Sequence, residues 1–283
     1  MSYFFIAPSG PRDRAGRVVF LLAMLLCMLL AACGGTASGA ATPSATITLK
    51  VFAAASLTES FNEIKTQYQA AHPNVNIQYN FNGSQILVQQ MTNGAAADVF
   101  ASADEANMQK ASTASLVLQS QIFARNKLTV IVPSGNPGHV NTLKDLARKG
   151  LKLVLAAPDV PVGKYAQQVL DKMGASSDYG PDYVKNVKGN VVSQEENVKS
   201  VVQKVQLGEA DAGIVYATDV TAAVAGKVTF IAIPDNFNVI AKYPIAVTKD
   251  STVQAQAQAF VQYILSPTGQ AVLSKYRFIS PGS

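Results

Sequence analysis

Two hydrophobic periods alternate along the chain from about Thr46 onward. Ile47 to Ala53 is β-branched and apolar, whereas Leu57, Phe61, Ile64 and Tyr68 recur at the three-and-four spacing of one helix face. Val75 to Phe81 alternates with the period of two of a half-buried strand, and Ile86 to Met91 returns to helical spacing. Asp98 to Ala101 predicts a short strand before a polar helix from Asp104. Leu128 to Pro133 and Leu151 to Ala156 are near-continuous apolar runs, as parallel strands buried on both faces should be. Ala166, Val169, Leu170 and Met173 predict a helix stopped by Gly174. Val198, Val201, Val202 and Val205 predict another, stopped by Gly208. Gly213 to Tyr216, Thr229 to Ile233 and Ile245 to Thr248 read as strands. A last helix carries Phe260, Val261 and Ile264 and ends at Pro267. This alternation predicts an α/β fold of mostly parallel sheets flanked by helices.

The N-terminal stretch follows neither period. Val18 to Ala32 is one uncharged apolar run, shorter than the about 20 residues of a membrane-spanning helix. Arg12, Arg14 and Arg17 precede it and small residues follow, which predicts an export signal over residues 1–32. Leu30-Ala31-Ala32-Cys33 resembles the lipobox of bacterial lipoproteins, so Cys33 is expected to carry a diacylglycerol anchor. Gly34 to Ala45 contains only Gly, Ala, Ser, Thr and Pro, a composition that cannot bury a core, so residues 33–45 are expected to act as a flexible tether. The protein is then expected in the cell envelope, outside the cytoplasm, anchored on the periplasmic or extracellular face.

Composition narrows the function classes. Hydrophobic residues make up 48% of the chain and charged residues 14%, which is core-forming rather than disordered. Arg12, Arg14, Arg17 and Asp13 take a net +2 of the formal +5 away with the signal, leaving about +3. With no Lys/Arg run in the exported part, nucleic acid is not an expected partner. Cys27 lies in the apolar run and Cys33 is the other cysteine, so a disulfide framework and a cysteine-rich metal site are both excluded.

Catalytic chemistry is hard to build from what remains. The two histidines, His72 and His139, both fall in expected loops. There is no His-x-x-x-His pair, no Gly-x-Ser-x-Gly elbow and no phosphate-cradling Gly-rich lysine loop. Asp98 reads as a strand start and Asp104 as a helix N-cap rather than as an acid–base pair. Helix starts are more telling. Ser56-Leu57-Thr58-Glu59 has capping-box spacing after a strand, and Asn82-Gly83-Ser84 places a hydroxyl at a strand-to-helix turn. Pro161-Val162-Gly163 opens a third helix, and a fourth begins near Glu195 to Val198. Unpaired N–H groups make such ends attractive to anions, and hydroxyls at two of them would complete a cage. The fourth helix has two possible starts: a capping box at Ser193 to Glu196, or Asn197 as N-cap with the Val198 N–H left free.

Val51-Phe52-Ala53-Ala54-Ala55-Ser56-Leu57 resembles the opening strand and turn of bacterial periplasmic molybdate-binding proteins, the substrate-binding subunits of molybdate ABC importers. Further matches follow in family order: Gly83-Ser84, Ala97 to Asp104, Val160 to Ala166, Glu196-Asn197-Val198, Gly213 to Tyr216 and Tyr243 to Val247. The resemblance implies a two-lobed type II binding-protein fold with two hinge crossings. Lobe I would be 46–126 plus 243–283, and lobe II 127–242. It implies a non-enzymatic protein that binds molybdate, and tungstate as well, for an ABC permease and ATPase. The oxyanion would meet Ser56 and Ser84 from one lobe, and Val162, Val198 and the Tyr216 hydroxyl from the other, the valines through backbone N–H. Molybdenum would enter only as the oxyanion, with no direct metal ligand, and no cofactor is expected. The protein is expected to be a monomer. The resemblance favours Asn197 as the fourth N-cap. It also marks Asp178 to Asn190 as an insertion in a surface loop, and Val162 as a valine where the family has alanine. Alternative readings are the same fold serving sulfate or thiosulfate, an exported enzyme, and a ligand sensor.

Overall fold

A computed structural model describes residues 1, 3–5 and 45–282. The expected export signal falls almost wholly outside the described residues, and so do Cys33 and the tether up to Ser44. The chain divides into two units, Met1–Ser44 and Ala45–Ser283, and every helix and strand described belongs to the second.

Ten strands follow in chain order: β1 (Ile47–Ala54), β2 (Val75–Asn82), β3 (Val99–Ala101), β4 (Gln121–Asn126), β5 (Leu128–Pro133), β6 (Leu153–Ala156), β7 (Val191–Glu195), β8 (Ala212–Tyr216), β9 (Val228–Ala232) and β10 (Ala241–Val247). They build two five-stranded sheets, ordered β2-β1-β3-β10-β4 and β7-β6-β8-β5-β9. In the first, β1 is parallel to β2 and β3, and β10 is antiparallel to β3 and β4. In the second, β6 is parallel to β7 and β8, and β5 is antiparallel to β8 and β9. Each sheet thus has four strands pointing one way and one reversed, and the two orders correspond strand for strand. This is the α/β architecture expected from the alternation, in the two lobes that the resemblance implied. The chain passes from the first sheet to the second across Lys127 alone, and returns between Ala232 and Ala241.

Both apolar runs became interior strands, but only β6 is parallel to its neighbours; β5, expected to be parallel, is antiparallel to β8 and β9, and its unbroken apolar run reflects burial on both faces rather than strand direction. All six residues of β5 are buried, and so are Val51 to Ala54 of β1, because helices cover both faces there. The helical stripes also face inward. Phe61, Ile64 and Tyr68 are buried on the helix Thr58–Ala71, and Val198, Val201, Val202 and Val205 on the helix Val198–Gln206.

Some local expectations fail, each for a physical reason. Gly208 does end its helix with a left-handed φ of 72°, but Gly174 is itself the last helical residue of Pro161–Gly174. It is small because Val184 packs there: a Cβ would lie 2.4 Å from Val184 Cγ2. Val184 belongs to the helix Tyr183–Gly189, which occupies the stretch expected as a surface loop. That helix is anchored by buried Tyr183, whose hydroxyl donates to the Leu143 carbonyl at 2.6 Å. Pro267 ends one helix but opens another, Pro267–Lys275, with the Ser266 hydroxyl accepting the Gly269 N–H. The strands β4 and β7 were not anticipated; both are sheet edges, where half-polar sequences blur the period of two.

Candidate functional site

One narrow cavity, with about 10 Å³ of free space, is lined by residues at and just beyond the carboxyl ends of strands from both sheets. Ala54 ends β1 and is followed by Ala55 and Ser56, Asn82 ends β2 and is followed by Gly83 and Ser84, and Ala103 follows β3. From the other sheet come Val160 to Val162 after β6, Asn197 and Val198 after β7, and Tyr216 at the end of β8. All five residues anticipated as oxyanion contacts, Ser56, Ser84, Val162, Val198 and Tyr216, line this one cavity. None is more than 4% exposed.

Local folding sets what each can offer. Ser56 does not cap the following helix, as its spacing had suggested. It sits inside a 3₁₀ turn, Ala55–Leu57, and the helix begins only at Thr58. Its Oγ lies 3.0 Å from the Tyr243 hydroxyl, which also accepts from the Asn126 side-chain amide at 3.3 Å. That relay leaves the Tyr243 proton for Ser56 and the Ser56 proton for the cavity. Ser84 is the first residue of the helix Ser84–Thr92, and its Oγ accepts the Ala103 N–H at 3.0 Å, so its proton is also free to be donated.

The second wall works through backbone. Pro161 is the first residue of its helix and has no N–H to give, so Val162 carries the first free donor of that turn. Asn197 adopts the extended cap conformation, and its side chain accepts the Ser200 N–H at 3.1 Å. Ser193 to Glu195 belong to β7, so the Asn197 start is the real one. The Val198 N–H, at the first position, has no intrahelical acceptor. Tyr216 is 1% exposed, and its hydroxyl makes no hydrogen bond of good geometry, although the Tyr243 hydroxyl stands close enough to interact with it. A buried hydroxyl without a good bond costs about 1–3 kcal/mol, so this group is poised to donate to something that enters the cavity.

No Lys, Arg, His, Asp or Glu side chain lines the cavity. The donors are hydroxyls and N–H groups at three helix starts, all pointing positive partial charge inward. Such a set suits an anion that brings its full negative charge and no proton. Burial holds the Tyr216 hydroxyl well above its ordinary pKa, so it stays a donor. Outside the lining, Lys199 Nζ is 2.7 Å from Glu59 and 3.2 Å from Asp219. Burial works to lower the Lys199 pKa, but Asp219 and Glu59 outweigh it and keep the ammonium charged. Burial pushes the Asp219 carboxyl up, and Lys199 offsets only part of that. Asp219 also accepts the Tyr216 N–H at 3.2 Å, fixing the backbone that carries the Tyr216 hydroxyl.

The other candidates are structural. Asp98 accepts the Lys50 N–H and the Ser251 hydroxyl, both at 2.7 Å, and Asp104 caps its helix by accepting the Asn107 N–H. His72 and His139 are exposed, His72 against the Tyr68 ring. No cluster of metal-ligating side chains occurs among the described residues. Sequence reasoning missed the Asn126–Tyr243 backing of Ser56 and the Lys199 cluster. Tyr243 lay in a recognised segment, but Asn126 and Glu59 carried no local signal, because their partners are 117 and 140 positions away.

Residues 49–279 match the model of the bacterial extracellular solute-binding protein family. The chain is 37% identical over 235 residues to the molybdate-binding protein ModA of Mycobacterium tuberculosis (strain ATCC 25618 / H37Rv), covering 83% of this chain and 85% of that one. It is 30% identical to ModA of Escherichia coli (strain K12), covering 81% and 88%. Among solved structures, the periplasmic molybdate-binding protein of Azotobacter vinelandii superposes with a TM-score of 0.70 at 23% identity, over 82% of this chain and 99% of that one, a likeness of fold. No helix among the described residues is long and apolar enough to cross a membrane. The match over most of the chain, and relatives that are binding proteins, settle the family: the chain belongs to the bacterial extracellular solute-binding proteins.

Proposed function

We propose that this protein captures molybdate, and tungstate as well, outside the cytoplasm and delivers it to an ABC importer. The observation that carries this reading is a buried cavity lined without any charged side chain, into which two serine hydroxyls, the poorly partnered Tyr216 hydroxyl and two helix starts face. A tetrahedral dianion supplies acceptors to Ser56, Ser84, Tyr216 and the N–H groups of Val162 and Val198 together, with no proton to place. The names of the relatives support molybdate as that dianion.

In this reading residues 46–126 with 243–283 form one lobe and 127–242 the other. The two crossings between the sheets act as a hinge, and ligand draws the lobes together. The protein works as a monomer tethered by lipid at Cys33; a Cys33→Ser variant that fractionates with membranes like wild type contradicts the anchor.

Thermal unfolding of the soluble domain tests the binding. At ligand about 1,000-fold above its Kd, mass action adds roughly 4 kcal/mol, which raises the midpoint by about 8–16 °C. A flat response at millimolar molybdate refutes the reading. The chain has no Trp, so calorimetry is the suitable readout.

A further inference from the structure

Two close polar contacts span the cleft without touching the cavity, beside a looser ion pair of Lys164 with Asp104 at 3.9 Å. Glu59 lies three residues after Ser56 on the first wall, and both its oxygens meet Lys199 Nζ of the second wall, at 2.9 and 2.7 Å. Lys199 directly follows Val198 and is held from behind by buried Asp219. Gln85, next to Ser84, donates through Nε2 to the Glu196 carbonyl at 2.9 Å. The walls press close there: a Cβ on Gly83 would lie 2.4 Å from that same carbonyl. Both second-wall partners, Lys199 and Glu196, flank Val198, and both first-wall partners follow an anion-facing serine. None of the side chains of Glu59, Lys199 or Gln85 lines the cavity.

We propose that Glu59–Lys199 and Gln85–Glu196 are clasps that hold the cleft shut and set how fast the anion leaves. They are positioning contacts and take no part in selecting the anion. This inference rests on the oxyanion reading of the cavity. Opening must break both clasps, whereas an anion arriving at an open cleft meets neither. Removing them therefore speeds dissociation and leaves association and anion preference alone. The Glu59–Lys199 pair is partly exposed, with side-chain exposures of 34% and 27%, so salt weakens it and should speed release from the wild type.

The test is stopped-flow release of molybdate from wild type and from a Glu59→Gln/Gln85→Ala variant, both substitutions at positions with some solvent access. The expected result is about tenfold faster release. Association should stay within about twofold, the molybdate-to-sulfate affinity ratio should be unchanged, and the salt dependence of release should flatten. Lys199→Arg, which keeps the charge, should release at close to the wild-type rate. Unchanged release, or a loss confined to association, overturns the clasps. If the wild type binds no molybdate, the function reading fails and the clasps are judged on anion-free protein by X-ray scattering. A larger radius of gyration in the variant then supports them, and equal radii overturn them.

Discussion

In the proposed reading, the two walls of the cavity meet one anion with different parts of the chain. The first wall presents side chains: Ser56 and Ser84 reach inward through hydroxyls, each set by a second hydrogen bond behind it. The second wall presents backbone: Val162 and Val198 contribute N–H groups from the first turns of their helices, and Tyr216 adds one hydroxyl. The sheets behind the walls correspond strand for strand, so the difference is local. A donor fixed by a helix start survives a change of side chain, whereas a hydroxyl does not. The walls should therefore answer mutation very differently.

The largest effect should come from the seam where the walls meet. Gly83→Ala places a methyl against the Glu196 carbonyl, which is backbone and cannot step aside. Closure is blocked and the second wall's donors stay out of reach, at about 3 kcal/mol or more of binding. The φ of Gly83 is −56°, so alanine fits the local backbone. The unliganded midpoint should hardly move. A titration that shows wild-type affinity for Gly83→Ala contradicts the closed arrangement.

Next come the first-wall hydroxyls. Ser56→Ala and Ser84→Ala should each weaken molybdate by about 1–3 kcal/mol, because each removes a donor to a charged group. Calorimetric titration of the single variants measures this directly. Tyr216→Phe should weaken binding over a similar or slightly smaller range, but with a distinguishing mark. Because the hydroxyl makes no hydrogen bond of good geometry within the protein, its loss should change the stability of the unliganded protein little. A large drop in the unliganded midpoint would mean the hydroxyl is satisfied by the protein after all. The smallest effect belongs to Val162→Ala, since the N–H remains. Its binding loss should be well below those of the serines, and an equal loss would contradict the backbone assignment.

The contrast also explains what was legible in the sequence. The second wall was half legible in helix grammar: Pro161 at a first position is a local signal with a local cause, whereas spacing left two starts for the fourth helix and the family resemblance favoured the Asn197 cap. The interior strands were legible because burial on both faces leaves unbroken apolar runs. The edges β4 and β7 were not, since one side of each is free to be polar. Ser56 was placed at the cavity by family resemblance, while its spacing alone suggested a cap. The resolving fact is the Tyr243 hydroxyl, 187 positions away, and no local pattern encodes such a contact. Glu59 likewise read as the end of a capping box and instead reaches Lys199.

The central claim is that the cavity is a cage of donors sized for a large tetrahedral dianion. The most direct measurement is calorimetric titration of the soluble domain with molybdate, tungstate, sulfate and phosphate at neutral pH. Phosphate keeps at least one proton there, and that proton would be buried with no acceptor, at about 1–3 kcal/mol or more. Sulfate carries no proton but has shorter bonds, so donors set for a larger anion cannot all reach it. The account predicts molybdate and tungstate tightest, sulfate well behind, and phosphate at least about 10-fold to 100-fold weaker than molybdate. Phosphate binding as tight as molybdate would show that the cavity accepts a proton, and the donor cage would be wrong.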